Sequence, residues 1–169
     1  MVLLLLQQPN NEMRLKECSI QKFIDETIES LNERILLENI SVSKEYDEKD
    51  FIVMMNEPKM KVALTNILTN AMDALPIKEG ALKLSTKIAD GKYTIEVKDN
   101  GCGIKKERLK YIFLPSFSEK QNGAGMGLAL TYDILRANDV GVNILSTEDE
   151  GTCFILSFNN LANSQPVVF

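Results

Sequence analysis

Hydrophobic spacing along the chain changes period several times, and each change marks an element. Ile20, Phe23, Ile24, Thr27, Ile28, Leu31 and Ile35 recur at three- and four-residue intervals behind Ser19, which predicts an amphipathic helix with Ser19 as its N-cap. Alternation then takes over. Ile40, Val42 and Lys44 to Tyr46 predict a half-buried strand, and Phe51 to Met55 a second short one. Asn56 and Pro58 start a long helix that Leu75-Pro76 closes, because proline suits the first turn and disfavours helical geometry in the residue before it.

Two further strands are predicted at Ala81 to Ile88 and Tyr93 to Asp99, joined antiparallel around Asp90-Gly91, a dipeptide suited to a tight hairpin. A loop at Asn100 to Gly103 leads into a short helix near Lys105 to Ile112, an irregular stretch from Phe113 to Gly125, and a helix from Gly127 to Asn138. Val142 to Ser146 and Thr152 to Phe158 form a last hairpin around Glu148 to Gly151. The expected fold is α+β: a two-layer α/β sandwich whose mixed, mostly antiparallel sheet carries three main helices on one face.

Composition narrows the class. With 169 residues, 44% of them apolar and 25% charged, the chain holds material for one sizeable core, expected at 19–159 between a leading segment (1–18) and a tail (160–169). A net charge of −5, with lysines and arginines scattered, argues against nucleic acid as a partner. Three cysteines without Cys-x-x-Cys spacing, and no histidine, argue against a zinc site and for a reducing, cytoplasmic compartment. Val2 to Leu6 is too short for a signal core or membrane span, so no membrane contact is expected, and the run reads as the end of a helix cut from something longer.

Three places carry candidate chemistry. Asn66, Asn70 and Asp73 share one stripe of the long helix, beside the apolar arc of Leu64, Ile67, Leu68, Ala71 and Leu75. A solvated helix face is one reading. Asparagine is a poor helix former, however, and a side-chain carbonyl bordering the core can complete the oxygen shell of a magnesium ion held mainly by substrate phosphates.

Asp99, Asn100, Gly101, Cys102, Gly103 and Ile104 stand at a strand end, where a plain turn is one reading. The other is a carboxylate placed to accept from an adenine amino group, glycines that let backbone approach a ring, and Ile104 closing the pocket. Gly123, Gly125 and Gly127, interleaved with Met126 and Leu128, open a helix and point backbone N–H groups where a polyphosphate can lie. This run fits neither the P-loop nor the dinucleotide fingerprint. Lys120 precedes it, either facing solvent or pairing with a terminal phosphate, with Phe113, Pro115 and Phe117 packing the loop's base.

In this order the pieces resemble the catalytic domain of sensor histidine kinases. Asn-Ile-Leu-Thr-Asn-Ala-Met-Asp-Ala (66–74) is similar to the N box, Asp-Asn-Gly-Cys-Gly-Ile (99–104) to the G1 box, Ile-Phe-Leu-Pro-Ser-Phe-Ser-Glu-Lys (112–120) to the F box and Gly-Ala-Gly-Met-Gly-Leu (123–128) to the G2 box. Gly151, Thr152 and Phe154 resemble the closing Gly-Thr-x-Phe strand, and the short spacing from Lys120 to Gly123 looks most like the nitrogen-regulator and dicarboxylate-sensor branch.

The resemblance implies a Bergerat-type ATP fold with ATP and Mg2+ as cofactors. Asn70 is then the protein ligand to magnesium, Asp99 reads the adenine, Asn66 lies near the phosphates and Lys120 near the γ-phosphate. Gly123 to Gly127 form a lid and Thr152 supports the adenine site. The implied partners are a histidine-bearing dimerisation domain and a response-regulator receiver domain. The family's phosphoacceptor histidine is absent here, so residues 1–18 read as a stub of the preceding helical segment, and the parent protein can be membrane-anchored. Ser116 stands where the F box usually carries phenylalanine.

The same superfamily offers two other functions. ATP-gated clamps resemble one another in carrying a glutamate one turn before the magnesium asparagine, and here that position is Asn66, which lacks the basicity to activate water. Anti-sigma-type protein-serine kinases lack a clear F box. A module that binds ATP without catalysis is a further alternative, disfavoured by Asn70, Asp99 and the glycine loops.

Overall fold

The computed structural model describes residues 15–89, 91–114 and 127–159. Its first strand, β1 (Lys16–Ser19), lies partly in the stretch assigned above to the leading segment, and it pairs antiparallel with β3 (Ile52–Met55) as a separate two-stranded sheet. Cys18, Val53 and Met55 turn inwards while Ile52 and Met54 stay exposed. Alternation was legible for β3 but not its partner, because Lys16 to Ser19 carries a single apolar residue.

Ser19 caps α1 (Ile20–Glu29) as expected, its Oγ accepting from the Lys22 N–H. The single predicted helix is in fact two, α1 and α2 (Asn32–Leu37). The Ser30 hydroxyl donates to the Thr27 carbonyl at 2.6 Å, a local bond that competes with the helical ladder, and Leu31 leaves helical geometry at φ −108°.

The long helix α3 (Glu57–Ala74) matches its prediction. Asn56 Oδ1 accepts from the Lys59 N–H, Pro58 occupies the first turn, and Leu75, extended before Pro76, ends it. Its buried arc, led by Met60, Leu64, Ile67 and Leu68, packs on the sheet residues Leu82, Leu84, Ile95 and Leu156.

The main sheet has strand order β2-β4-β5-β7-β6: β2 (Ser41–Glu45), β4 (Ala81–Ala89), β5 (Lys92–Asp99), β6 (Val140–Thr147) and β7 (Gly151–Asn159). All pairs are antiparallel except β2 with β4, which is parallel and makes the sheet mixed. Gly91 turns the β4–β5 hairpin at φ +70°, while its predicted companion Asp90 lies outside the described residues. Between β5 and β6 come α4 (Lys106–Leu109), shorter than predicted, and α5 (Gly127–Ala137). Asn138 Oδ1 accepts from the Asn56 N–H at 2.8 Å and so ties the end of α5 to the start of α3. No helix among the described residues is long and apolar enough to cross a membrane.

Candidate active site

The C-terminal end of β5, the end of α3, the start of α5 and the β6–β7 turn meet around a cleft of about 430 Å³. That volume falls in the range of small-molecule sites. Asn70, Ala71 and Ala74 from α3, Asp99, Gly103, Ile104, Leu128 and Thr152 all line it. Six residues singled out from sequence, spread over more than eighty positions, therefore share one wall system.

Asp99 is 3% exposed. Its Oδ1 accepts from the Gly101 N–H at 2.8 Å and from the Thr152 N–H at 3.2 Å. Oδ2 accepts from no described residue. No enclosed side-chain oxygen or nitrogen among the described residues lacks a partner, so Oδ2 opens on the cleft. Burial pushes this carboxyl group above the ordinary aspartate value, and the two backbone donors pull it part of the way back.

The loop after Asp99 is pinned down on α3. Cys102 N–H donates to the Ala74 carbonyl at 3.0 Å, and a Cβ on Gly101 would sit 2.6 Å from that same oxygen. On the other side the Asp149 N–H donates to the Cys102 carbonyl at 2.8 Å. Apolar walls come from Ile104, Ile112, Leu128 and Phe154, and the Lys105–Glu148 ion pair, 3.1 Å long, spans the rim.

Asn66 and Asn70 share a face of α3 but do different things. Asn70 reaches the cleft and has no hydrogen-bond partner among the described residues. The Asn66 amide instead donates to the Gly127 carbonyl at 3.2 Å and to Thr131 Oγ1 at 3.3 Å, holding the first turn of α5. Asp73, third on the stripe, accepts from Arg34 Nη2 at 2.6 Å and is not among the residues lining the cleft. Phe113 packs on Tyr132, while Pro115, Ser116, Phe117, Lys120, Gly123, Gly125 and Met126 lie outside the described residues.

Sequence reading missed Ser146. Its Oγ accepts from the Ile104 N–H at 2.8 Å and sits 2.8 Å from Thr152 Oγ1. A clue was available: Val140, Val142, Ile144 and Ser146 alternate onto one face, so a hydroxyl ends an otherwise apolar row.

The chain matches the family described as histidine kinase-, DNA gyrase B-, and HSP90-like ATPase over residues 55–161. It belongs to that ATPase family. Among similar curated proteins, sporulation kinase C of Bacillus subtilis (strain 168) is 31% identical over 153 residues, which cover 90% of this chain and 35% of the relative. The chain thus spans about a third of that relative's length. The catalytic domain of histidine kinase ThkA superposes with a TM-score of 0.78 at 26% identity, over 88% of this chain and 97% of that one. ThkA in complex with the response regulator protein TrrA also matches, with a TM-score of 0.75 at 22% identity over 89% of this chain and 43% of that one, which shows the fold. The ATPase domain has the expected α+β sandwich of a histidine kinase catalytic domain, and its relatives are histidine kinases.

The residues present fit the nucleotide that this family implies. A buried carboxylate oxygen faces an apolar slot of suitable size, with loop backbone held against it by Gly101. For a cation, the cleft lining offers the Asn70 amide oxygen and the carboxylates of Asp99, Glu148 and Asp149, and the described residues contain no cluster of three or more His, Cys, Asp or Glu that could hold a metal ion. That suits a magnesium ion held mostly by phosphates and water, and does not suit a protein-caged metal.

Proposed function

We propose that this chain binds Mg2+-ATP and transfers the γ-phosphate to a histidine on a helical dimerisation domain, with a response-regulator receiver domain as the next acceptor, all in the cytoplasm. The observation that carries the reading is Asp99: buried, fixed by two backbone donors, and presenting one free oxygen to an apolar cleft. Bound ATP supplies the phosphoryl group and, with magnesium, the charge neutralisation such a transfer needs. Asp99 Oδ2 accepts from the base's amino group. Ile104, Ile112 and Phe154 exclude water from the base. Asn70 gives its carbonyl oxygen to the magnesium, while Asn66 holds the start of α5 beside the phosphates. Lys120, with Gly123, Gly125, Met126 and Gly127, completes the phosphate end.

A water-activating ATPase of the clamp type is disfavoured, because the side chain at Asn66 is a neutral amide committed to Gly127 and Thr131. No group of useful basicity stands there.

The test supplies a histidine-bearing dimerisation domain in trans, together with γ-labelled ATP and magnesium. Acid-labile label on that domain is expected. Asn70→Ala is expected to lose both the transfer and magnesium-dependent nucleotide binding, with an unchanged circular dichroism spectrum, because a side chain bordering the cleft contributes little to the core. Full transfer by Asn70→Ala would refute the magnesium role, and ATP bound without any label on the histidine would refute the kinase reading.

A further inference from the structure

Cys102 stands in the loop between β5 and α4, is exposed to solvent, and lines the same cleft as Asp99. Its backbone is held on both sides: the N–H donates to the Ala74 carbonyl at 3.0 Å, and the carbonyl accepts from the Asp149 N–H at 2.8 Å. A group attached to its sulfur therefore turns about the side-chain bonds alone and stays at the cleft. That this cleft takes a ligand is a separate observation, since Asp99, 3% exposed, aims an unpartnered Oδ2 into it.

The other two cysteines are poor competitors for a thiol reagent. Cys18 is buried, its thiol donates to Glu57 Oε2 at 3.7 Å, and burial pushes its pKa up. Cys153 lies between Thr152 and Phe154, which both line the cleft, so it points to the opposite face of the sheet, where burial again raises the thiol. The thiolate is the attacking species in disulfide exchange, and burial that keeps the proton on sulfur slows both.

We propose that Cys102 is a thiolation site for a small disulfide such as glutathione disulfide, and that the adduct and the nucleotide are alternative occupants of the cleft. The Cys102 thiolate attacks one sulfur of the disulfide. The new Sγ–S bond forms as the old S–S bond breaks, the departing half leaves as a thiolate, and the Cys102 proton passes to water. Cys102 is oxidised, the disulfide is reduced, and excess thiol reverses the step. This inference rests on the nucleotide reading above and adds a redox control to that site, in which each occupant weakens the other.

The experiment treats the full chain with glutathione disulfide, locates the adduct by peptide mass, and follows ATP binding by calorimetry. One adduct at Cys102 is expected, with ATP affinity lowered about tenfold or more, an unchanged circular dichroism spectrum, and recovery in dithiothreitol. ATP at about a hundred times its dissociation constant is expected to slow the modification about a hundredfold, because only the empty cleft reacts. Cys102→Ser, or Cys102→Ala should the former fail to fold, is expected to bind ATP equally before and after treatment. Cys153→Ala is expected to respond as the wild type does. No adduct at Cys102, an adduct there with full ATP affinity, a rate that ATP leaves unchanged, or a loss of binding in the treated Cys102 variant would each overturn the proposal. So would a treated protein that loses its circular dichroism spectrum, since the adduct would then act by unfolding. An untreated wild type that binds no ATP would instead overturn the nucleotide reading of the cleft, and this inference with it.

Discussion

Gly103 meets Thr147 backbone to backbone: a Cβ on Gly103 would sit 1.9 Å from the Thr147 carbonyl oxygen. The contact presses the loop after Asp99 against the β6–β7 turn, and Gly103 adopts φ +66° to make it. Gly103→Ala therefore adds a clash to the strain of a left-handed residue. Gly91→Ala is its control, since Gly91 has a similar φ of +70° and nothing within 4 Å of its would-be Cβ. The control is expected to lose about 1 kcal/mol in urea unfolding, from backbone strain alone. Gly103→Ala is expected to lose about 1–3 kcal/mol more, as the turn is pushed away, and to weaken ATP binding. Equal losses would mean that the loop yields without the turn.

Asp99 makes a prediction with opposite signs for folding and for binding. Burial raises its pKa above the ordinary 3.8 despite the donors on Gly101 and Thr152. The folded state then holds this proton more tightly than the unfolded one, so the Asp99 contribution to stability falls as pH rises from 3.8 through the raised value, and is constant above it. Asp99→Asn removes that slope. Glu57, whose carboxyl group the Lys16 hydrogen bond holds below the ordinary range, has the reverse sign, so the difference between wild type and variant is the quantity to follow. Urea unfolding at a series of pH values is expected to show the difference declining through that window. ATP affinity of the wild type is expected to rise over the same window, as Oδ2 becomes a full acceptor, while the variant stays flat and loses preference for ATP over GTP. A parallel pair of stability curves would place the titrating proton elsewhere.

Period and capping made most of the fold readable in advance, because Ser19, Asn56, Pro58 and the alternating strands each state a local preference that packing then keeps. The failures lie where a weak local preference was overruled. Ser30 diverts the Thr27 carbonyl and breaks a helix whose apolar spacing runs on to Ile35, and Lys16 to Ser19 becomes a strand only because β3 offers an edge. At the site, helical spacing placed Asn66, Asn70 and Asp73 on one face, but spacing cannot say what stands opposite. Gly127 opposes Asn66, the cleft opposes Asn70 and Arg34 opposes Asp73, and those three outcomes depend on elements distant in sequence. Ser146 was hidden for the same reason: its role needs Ile104, Gly151 and Thr152 brought around it.

Asn66 supplies the sharpest test of how α5 is held. Its amide donates to two oxygens, the Gly127 carbonyl and Thr131 Oγ1, and the Thr131 hydroxyl already gives its own proton to Gly127 at 2.7 Å. In Asn66→Asp a carboxylate would face both oxygens with no proton between them, while the shape of the side chain stays the same. The first turn of α5 is expected to open, costing about 1–3 kcal/mol for the groups left unpaired. Amide exchange at residues 131–134, whose N–H groups bond back to the carbonyls of that turn, is expected to accelerate. Asn70→Asp is the matched control one turn along α3: it faces the cleft, touches no part of this bridge, and should leave exchange in α5 as it is. Wild-type protection of α5 in Asn66→Asp would show that the helix start is held by its apolar contacts and not by the amide, which would also free Asn66 for direct contact with phosphate.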